Sequence, residues 1–300
     1  MPYIWIPIAL LACAFYGSAN LLDNLLSRRK IKSPVSLIFY SGLFHLIFLP
    51  LVLIFARLAG LPVRAWILFG LLGVINVGYL FPYYRGLQND ETSVAISLLS
   101  MEKIFIPISA FFIVGERLAF RHYLGIAIIV ICSAALGYRR SRKKIELSKT
   151  FWYITLSAFI LSFEGVLFKY LFNLGISVPT AMAGQMLASF FFSLLTLVPD
   201  RTRRQIALDF HAFKNSFRLF AAEEGLTLIA LLTENFAVSL APVSLVKSIS
   251  AFTPFFLLLY ARILEKDHPT WFKEEIDFGS VIKKGVLFTL MVIGVLLVGF

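Results

Sequence analysis

Ten long apolar runs separated by short polar connections dominate the chain, at about 3–26, 34–56, 65–85, 92–114, 121–138, 151–172, 178–199, 219–238, 242–262 and 282–300. A bilayer core about 30 Å thick needs roughly 20 apolar residues per helix, so each run can span it. Runs this long are helices rather than buried strands. The period-two alternation over about ten residues that a membrane β-barrel requires is missing from the sequence. The pattern predicts an all-α membrane protein of ten transmembrane helices.

Three connections are longer: the basic stretch 139–149, the stretch 200–218 and the charged stretch 265–284. None is long enough for a soluble domain. The segment 201–218 (RTRRQIALDFHAFKNSFR) reads either as an amphipathic helix on the membrane surface or as a solvated loop. No basic leader precedes the first run, which is too long for the apolar core of a signal peptide. It is expected to be a retained first helix.

Composition agrees with this pattern. Hydrophobic residues make up 59% of the 300 positions and charged residues 15%, with a mean hydropathy of +0.84. A soluble domain carries about 25% charged residues, which excludes a soluble enzyme, a disordered chain and a nucleic-acid-binding domain. The net charge of +11 does not point to a polyanion, because 25 of the 28 Lys and Arg residues lie between or at the ends of the runs. Loops after spans 1, 3, 5, 7 and 9 hold 21 of them, and the even-numbered loops hold Arg57, Arg64, Arg117 and Arg121. By the positive-inside rule the odd loops are cytoplasmic and both termini are outside. Cys13 and Cys132 lie within apolar runs and suggest neither a disulfide framework nor a metal site.

The chain also repeats itself. An offset of 147 residues superposes Trp5 on Trp152 and Pro107 on Pro254. Within two residues of that offset, Gly17 falls on Gly165, Pro34 on Pro179 and Glu116 on Glu265. Each half then holds five helices, and an odd number gives the second half the opposite polarity. Such inverted repeats are typical of secondary transporters. The expected organisation is a first repeat over 1–138, a basic linker over 139–150 and a second repeat over 151–300.

The stretch 93–137 (SVAISLLSMEKIFIPISAFFIVGERLAFRHYLGIAIIVICSAALG) carries a Pro within its first helix, the pair Gly115–Glu116 at that helix's end, and a Gly-rich helix after it. It resembles the end of an EamA-type domain. The second copy, over 241–265 and 281–300, is similar but looser, with Leu264 in place of Gly before Glu265 and a longer charged insertion. Two such units resemble the ten-helix form of the drug/metabolite transporter superfamily. That resemblance implies a bundle around a central cavity lined in part by helices 4 and 9, and small-metabolite transport, often export.

Ionisable groups within spans cost about 2.5–3.5 kcal/mol each even on lenient scales, so they should face the bundle interior. Folding adjacent spans into hairpins estimates which groups share a depth. Glu234 and Lys247 flank the turn near 240 symmetrically, as an ion pair or a substrate site. Glu102 and Lys103 sit mid-span about one turn before Pro107. Adjacent helical residues point about 100° apart, so they should pair poorly with each other. Asn76 and Lys247 are candidate partners for Glu102. Glu164 falls level with Gln185, as helix glue or as a proton carrier. His45 falls level with Tyr16 and reads as a satisfied core residue. Tyr83, Tyr84 and Arg85 end span 3, as an interfacial belt or as the wall of a cavity mouth able to hold an amine by cation–π contact. Glu223 and Glu224 read as structural acids at a helix start. Pro107 and Pro254 are candidate kinks in matched positions.

No catalytic constellation or metal-ligand spacing is visible, and neither enzyme activity nor a cofactor is expected. The sequence reads as a secondary transporter of the bacterial inner (plasma) membrane. It would move a small polar metabolite by alternating access, as an exporter. Inner acids (Glu102, Glu164, Glu234) balance inner bases (Lys103, Lys169, Lys247), which suits a zwitterion or related amine. The alternative is a non-transporting membrane subunit or lipid-handling protein whose charges only tie helices together. The expected partners are a small-molecule substrate and the lipid bilayer, with a homodimer allowed and nucleic acid excluded.

Overall fold

The computed structural model describes residues 3–89, 98–99, 101–137, 149–265 and 278–299. Among these residues the chain is helical and has no strand. The first part comprises α1 (Trp5–Leu25, continued by a π turn Leu26–Lys30), α2 (Pro34–Leu53), α3 (Val63–Asn89), α4 (Glu102–Val114) and α5 (Phe120–Gly137). The second comprises α6 (Lys149–Asn173), α7 (Val178–Leu194), α8 (Asp200–Asn215), α9 (Phe217–Leu240), α10 (Val243–Ile249), α11 (Thr253–Glu265) and α12 (Phe278–Gly299). Most of the expected basic linker and of the charged stretch 265–284, and the start of the fourth expected span, lie outside the described residues.

Among the described residues five helical segments are long and apolar enough to cross a membrane: Trp5–Lys30, Pro34–Leu53, Val63–Gln88, Phe151–Asn173 and Val178–Leu197. Shorter apolar helices occur at Phe120–Cys132, Val243–Leu257 and Gly285–Val298. α9 is as long as the five, but Glu223, Glu224 and Glu234, all buried, raise its polar content. The ninth expected span is not one helix. A 3-10 turn, Ser250–Phe252, separates α10 from α11 just before Pro254, because a proline cannot continue the ladder of hydrogen bonds behind it.

Local chemistry sets the helix ends. Ser33 caps α2 by accepting from the Ser36 amide at 3.3 Å, with Pro34 in the first turn. α4 stops at Gly115, whose φ of 69° lies in the left-handed region that glycine enters without steric cost. The segment after Pro199 is a helix, not a loop. Ile206 and Phe213 of α8 pack inward, with Phe213 stacked on Tyr40 of α2 at 4.0 Å, while Leu208 and Phe210 are exposed. An amphipathic helix with an outward apolar edge suits the membrane interface.

The main packing partners are α1 with α9 and α11, α3 with α6 and α7, α4 with α6, α2 with α7, and α5 with α12. In the last pair a Cβ on Gly125 would stand 2.7 Å from the Gly294 carbonyl oxygen, so the backbones meet directly. Close approach through small residues is how helices gain packing energy in a medium as apolar as they are. Large apolar side chains such as Phe112 and Phe120 point outward instead. One packed cluster, including Trp5, Ala9, Ala237, Val238 and Val243, fills the end of the bundle carrying the even-numbered loops. Another, including Leu26, Tyr83, Leu87 and Phe213, lies at the odd-loop end.

Candidate functional site

Pro242 and the extended Ala241 break the chain between α9 and α10 and fold the two helices into a tight hairpin. The hairpin brings Glu234 and Lys247 together, with Lys247 Nζ donating to Glu234 Oε2 at 2.7 Å. The same Nζ lies 3.9 Å from Glu102 Oε1. Tyr16 of α1 donates to Glu234 Oε2 at 3.1 Å, and the Ser250 hydroxyl donates to Oε1. Gly165 of α6 leaves room for the lysine stem, since a Cβ there would stand 2.7 Å from Lys247 Cε. Lys103 Nζ donates to Glu102 Oε2 at 2.7 Å. The expectation that these neighbours pair poorly is therefore corrected. Their Cβ directions diverge, but four methylenes let the ammonium swing back.

Glu164 forms a second centre. Its Oε1 accepts from Gln185 Nε2 at 2.5 Å and, weakly, from Asn76 Nδ2 at 3.4 Å. Asn76 thus serves Glu164 rather than Glu102. Gln185 lies behind Glu164, on α7, and does not line the cavity described next.

These groups open onto a cavity of about 160 Å³ that also reaches residues of α2. On α1 its lining runs from Tyr16 through Asn20 to Asp23, and on α9 from Glu234 back to Glu223. It therefore extends from mid-bundle toward the odd-loop end. Among the described residues six carboxylates line it (Asp23, Glu102, Glu164, Glu223, Glu224, Glu234), with two lysines, Lys103 and Lys247. This corrects the balance expected of inner acids and bases. Lys169 is not in the cavity; its Nζ donates to the Val238 and Ala241 carbonyls at 2.9 Å each, at the end of α9.

Glu223 and Glu224 do not begin their helix, because α9 starts at Phe217 and places them in its second turn, 7% exposed and facing the cavity. Thr227 donates to Glu223 Oε1 at 2.9 Å. Tyr83 and Tyr84 are each 4% exposed and form the cavity wall rather than an interfacial belt. Tyr83 donates to Asp23 Oδ2 at 2.9 Å. Arg85 lies outside this wall, stacked over Phe81 at 4.7 Å. Of the two prolines only Pro254 lines the cavity; Pro107 lies within α4, away from it.

Among the described residues, four buried polar atoms of the lining have no hydrogen-bond partner: Asp23 Oδ1, His45 Nδ1, Asn76 Oδ1 and Glu102 Oε1. His45 is therefore not the satisfied core residue expected. Such atoms are costly unless something in the cavity serves them. The three oxygens can only accept, so the cavity asks for a donor. Among the described residues no group of three or more His, Cys, Asp or Glu is arranged to hold a metal ion.

The even-loop end is closed. Glu116, just past α4, accepts from the Val243 amide at 2.9 Å and the Ser244 amide at 3.2 Å, capping α10 across the bundle. The sequence marks Glu116 as a repeat match and as part of the Gly115–Glu116 pair, and neither signal points to a cap on α10. Sequence reasoning missed Asp23 altogether, since the residue lies near the end of the first run and its partners belong to helices distant in sequence.

Residues 3–137 match the model of the EamA-like transporter family. No curated protein matches the chain. A solved structure described as "Crystal structure of protein" is similar at a TM-score of 0.67 and 17% identity, over 98% of this chain and 96% of that one; this likeness shows the fold alone. The cavity thus lies in an integral membrane protein whose residues 3–137 are similar to an EamA-like transporter unit, and whose features are consistent with an EamA-type drug/metabolite transporter.

Proposed function

We propose that the protein is a secondary transporter that moves a small amine across the membrane by alternating access. The observation that carries the substrate class is the acceptor bias of the cavity: six carboxylates against two lysines, with three buried oxygens lacking a donor. An ammonium offers three donors and no acceptor. The carboxylates offset its desolvation, as a buried charge requires. A zwitterion, expected from an even balance of inner charges, fits this lining less well than a cation.

The packing supports two inverted repeats, α1–α5 and α6–α12 with α8 as an insertion. Exchanging α1 with α6, α3 with α9, and α4 with α10–α11 converts the α1–α9 contact into α6–α3 and the α4–α6 contact into α11–α1. The contacts α2–α7 and α5–α12 map onto themselves, and all of these pairs are observed. A cavity reaching the odd-loop end and packed shut at the other supports a carrier in one of its two states. With the basic odd loops in the cytoplasm of a bacterium and both termini outside, the site would load from within, which is the direction of an exporter.

Thermal unfolding of the detergent-purified protein across amines, amino acids, sugars and organic anions tests the reading. A ligand at 100 times its dissociation constant stabilises by about 2.7 kcal/mol, which is visible in a melt. Stabilisation by amines, followed by their uptake in proteoliposomes, is expected. A response confined to sugars or anions would overturn the substrate class. A flat panel would favour a non-transporting bundle tied together by its charges.

A further inference from the structure

The acidic lining is not evenly spread. One group, Glu102, Glu234 and the nearby Glu164, lies at mid-bundle with both lysines. The other, Asp23, Glu223 and Glu224, lies toward the odd-loop end. Helix rise measures their separation. Tyr16, which touches Glu234, precedes Asp23 by seven residues of α1, and Glu224 precedes Glu234 by ten residues of α9. At 1.5 Å per residue the two groups stand roughly 10–15 Å apart along the bundle axis.

The wall between them carries four leucines beside the polar Asn20, Tyr79 and Thr227. Leu80 lies between Asn76 and Tyr83 on α3, and Leu231 between Thr227 and Glu234 on α9. Leu161 precedes Glu164 on α6 by three residues, and Leu99 precedes Glu102 by three; all four leucines line the cavity.

Each end also has its own unmet acceptor. Asp23, 7% exposed, keeps Oδ1 buried with no hydrogen-bond partner among the described residues, although Oδ2 accepts from Tyr83. At mid-bundle the unmet atoms are Glu102 Oε1 and Asn76 Oδ1. The outer end adds aromatic walls, with Tyr83 and Tyr84 rings 5.3 Å apart and Tyr79 and Tyr83 rings 6.3 Å apart. A cation seated against ring faces beside a carboxylate gains from both.

We propose that the cavity binds a linear dication, two ammonium groups joined by an apolar chain. One group would sit at Asp23 among the tyrosines, the other at the Glu102–Glu164 centre, with the chain along the leucines. This rests on the amine-carrier reading above and narrows it. A monoamine satisfies one end only and leaves the other acceptor buried and unserved. A diamine too short to reach behaves as a monoamine, and one too long loses an end to the wall.

Binding of linear α,ω-diamines of increasing chain length, each against the monoamine of equal length, tests the inference on the purified wild-type chain. Affinity is expected to peak at one diamine length and to exceed that of its monoamine about tenfold or more, since a charge-assisted hydrogen bond is worth at least one decade of affinity. Asp23→Asn, nearly isosteric, should remove the diamine advantage, bringing each diamine down to the affinity that the same variant shows for the monoamine of equal length. Diamines and monoamines binding alike, or a diamine advantage that survives Asp23→Asn, overturns the dication and leaves the amine carrier standing. If no amine binds, both readings fail. The wild-type series decides the question even if the variant does not fold.

Discussion

Truncating Lys247 is the most informative perturbation of the charged centre. Its ammonium lies 2.7 Å from Glu234 and 3.9 Å from Glu102. Coulomb attraction at 2.7 Å and an effective dielectric near 20 is about 6 kcal/mol. Most of that offsets the desolvation of the pair. Lys247→Met keeps much of the stem against Gly165 but leaves the Glu102, Lys103 and Glu234 group one positive charge short. Removing one partner of a buried pair costs about 3–5 kcal/mol, because the other charge stays buried, and that is a large share of a typical 5–15 kcal/mol stability. Glu234→Gln added to Lys247→Met removes the stranded charge. The amide oxygen can still accept from Tyr16, and the Ser250 hydroxyl can turn to accept from the amide NH2, so the double variant should recover about 2–3 kcal/mol of the loss. Reversible unfolding in mixed detergent micelles, followed by circular dichroism, measures all three proteins. A single variant within about 1 kcal/mol of wild type, or a double variant no more stable than the single, would refute the pairing logic.

Three further outcomes follow from the geometry. Glu116→Ala strips the cap from α10 and should cost about 1–2 kcal/mol in the same unfolding assay; no loss would mean the cap is energetically idle. Gly125→Leu inserts a side chain where the Gly294 carbonyl stands 2.7 Å from a Cβ. It should destabilise the α5–α12 pair by about 1–3 kcal/mol, and an unchanged melt would show that this close approach carries little energy. In a chain whose native cysteines are replaced, Thr227→Cys should react with a membrane-impermeant thiol reagent applied from the odd-loop side. Val238→Cys, in the packed end, should stay unlabelled from either side. Equal labelling of the two would mean that the cavity does not extend as described.

What the sequence revealed and what it hid divide along the chain's own connectivity. Hairpin counting pairs residues on consecutive spans, which must run antiparallel across a short turn. It therefore located Lys247 beside Glu234 and Gln185 beside Glu164 from spacing alone. Asp23 meets Tyr83 of α3 and shares its end of the cavity with two glutamates of α9, and neither helix follows α1. No local count reaches such a contact. Depth estimates also say nothing about direction around a helix. Lys169 counted as an inner base, yet it points to the carbonyls that end α9. Lys103 counted as pairing poorly with Glu102 because Cβ vectors ignore the reach of a four-carbon stem. Each correction shifts the electrostatic picture the same way. A lysine leaves the cavity and three acids enter it, so the even charge balance that favoured a zwitterion becomes an acidic chamber. Because substrate class follows from that sign, it could be argued only once long-range packing had placed Asp23, Glu223 and Glu224 in one wall.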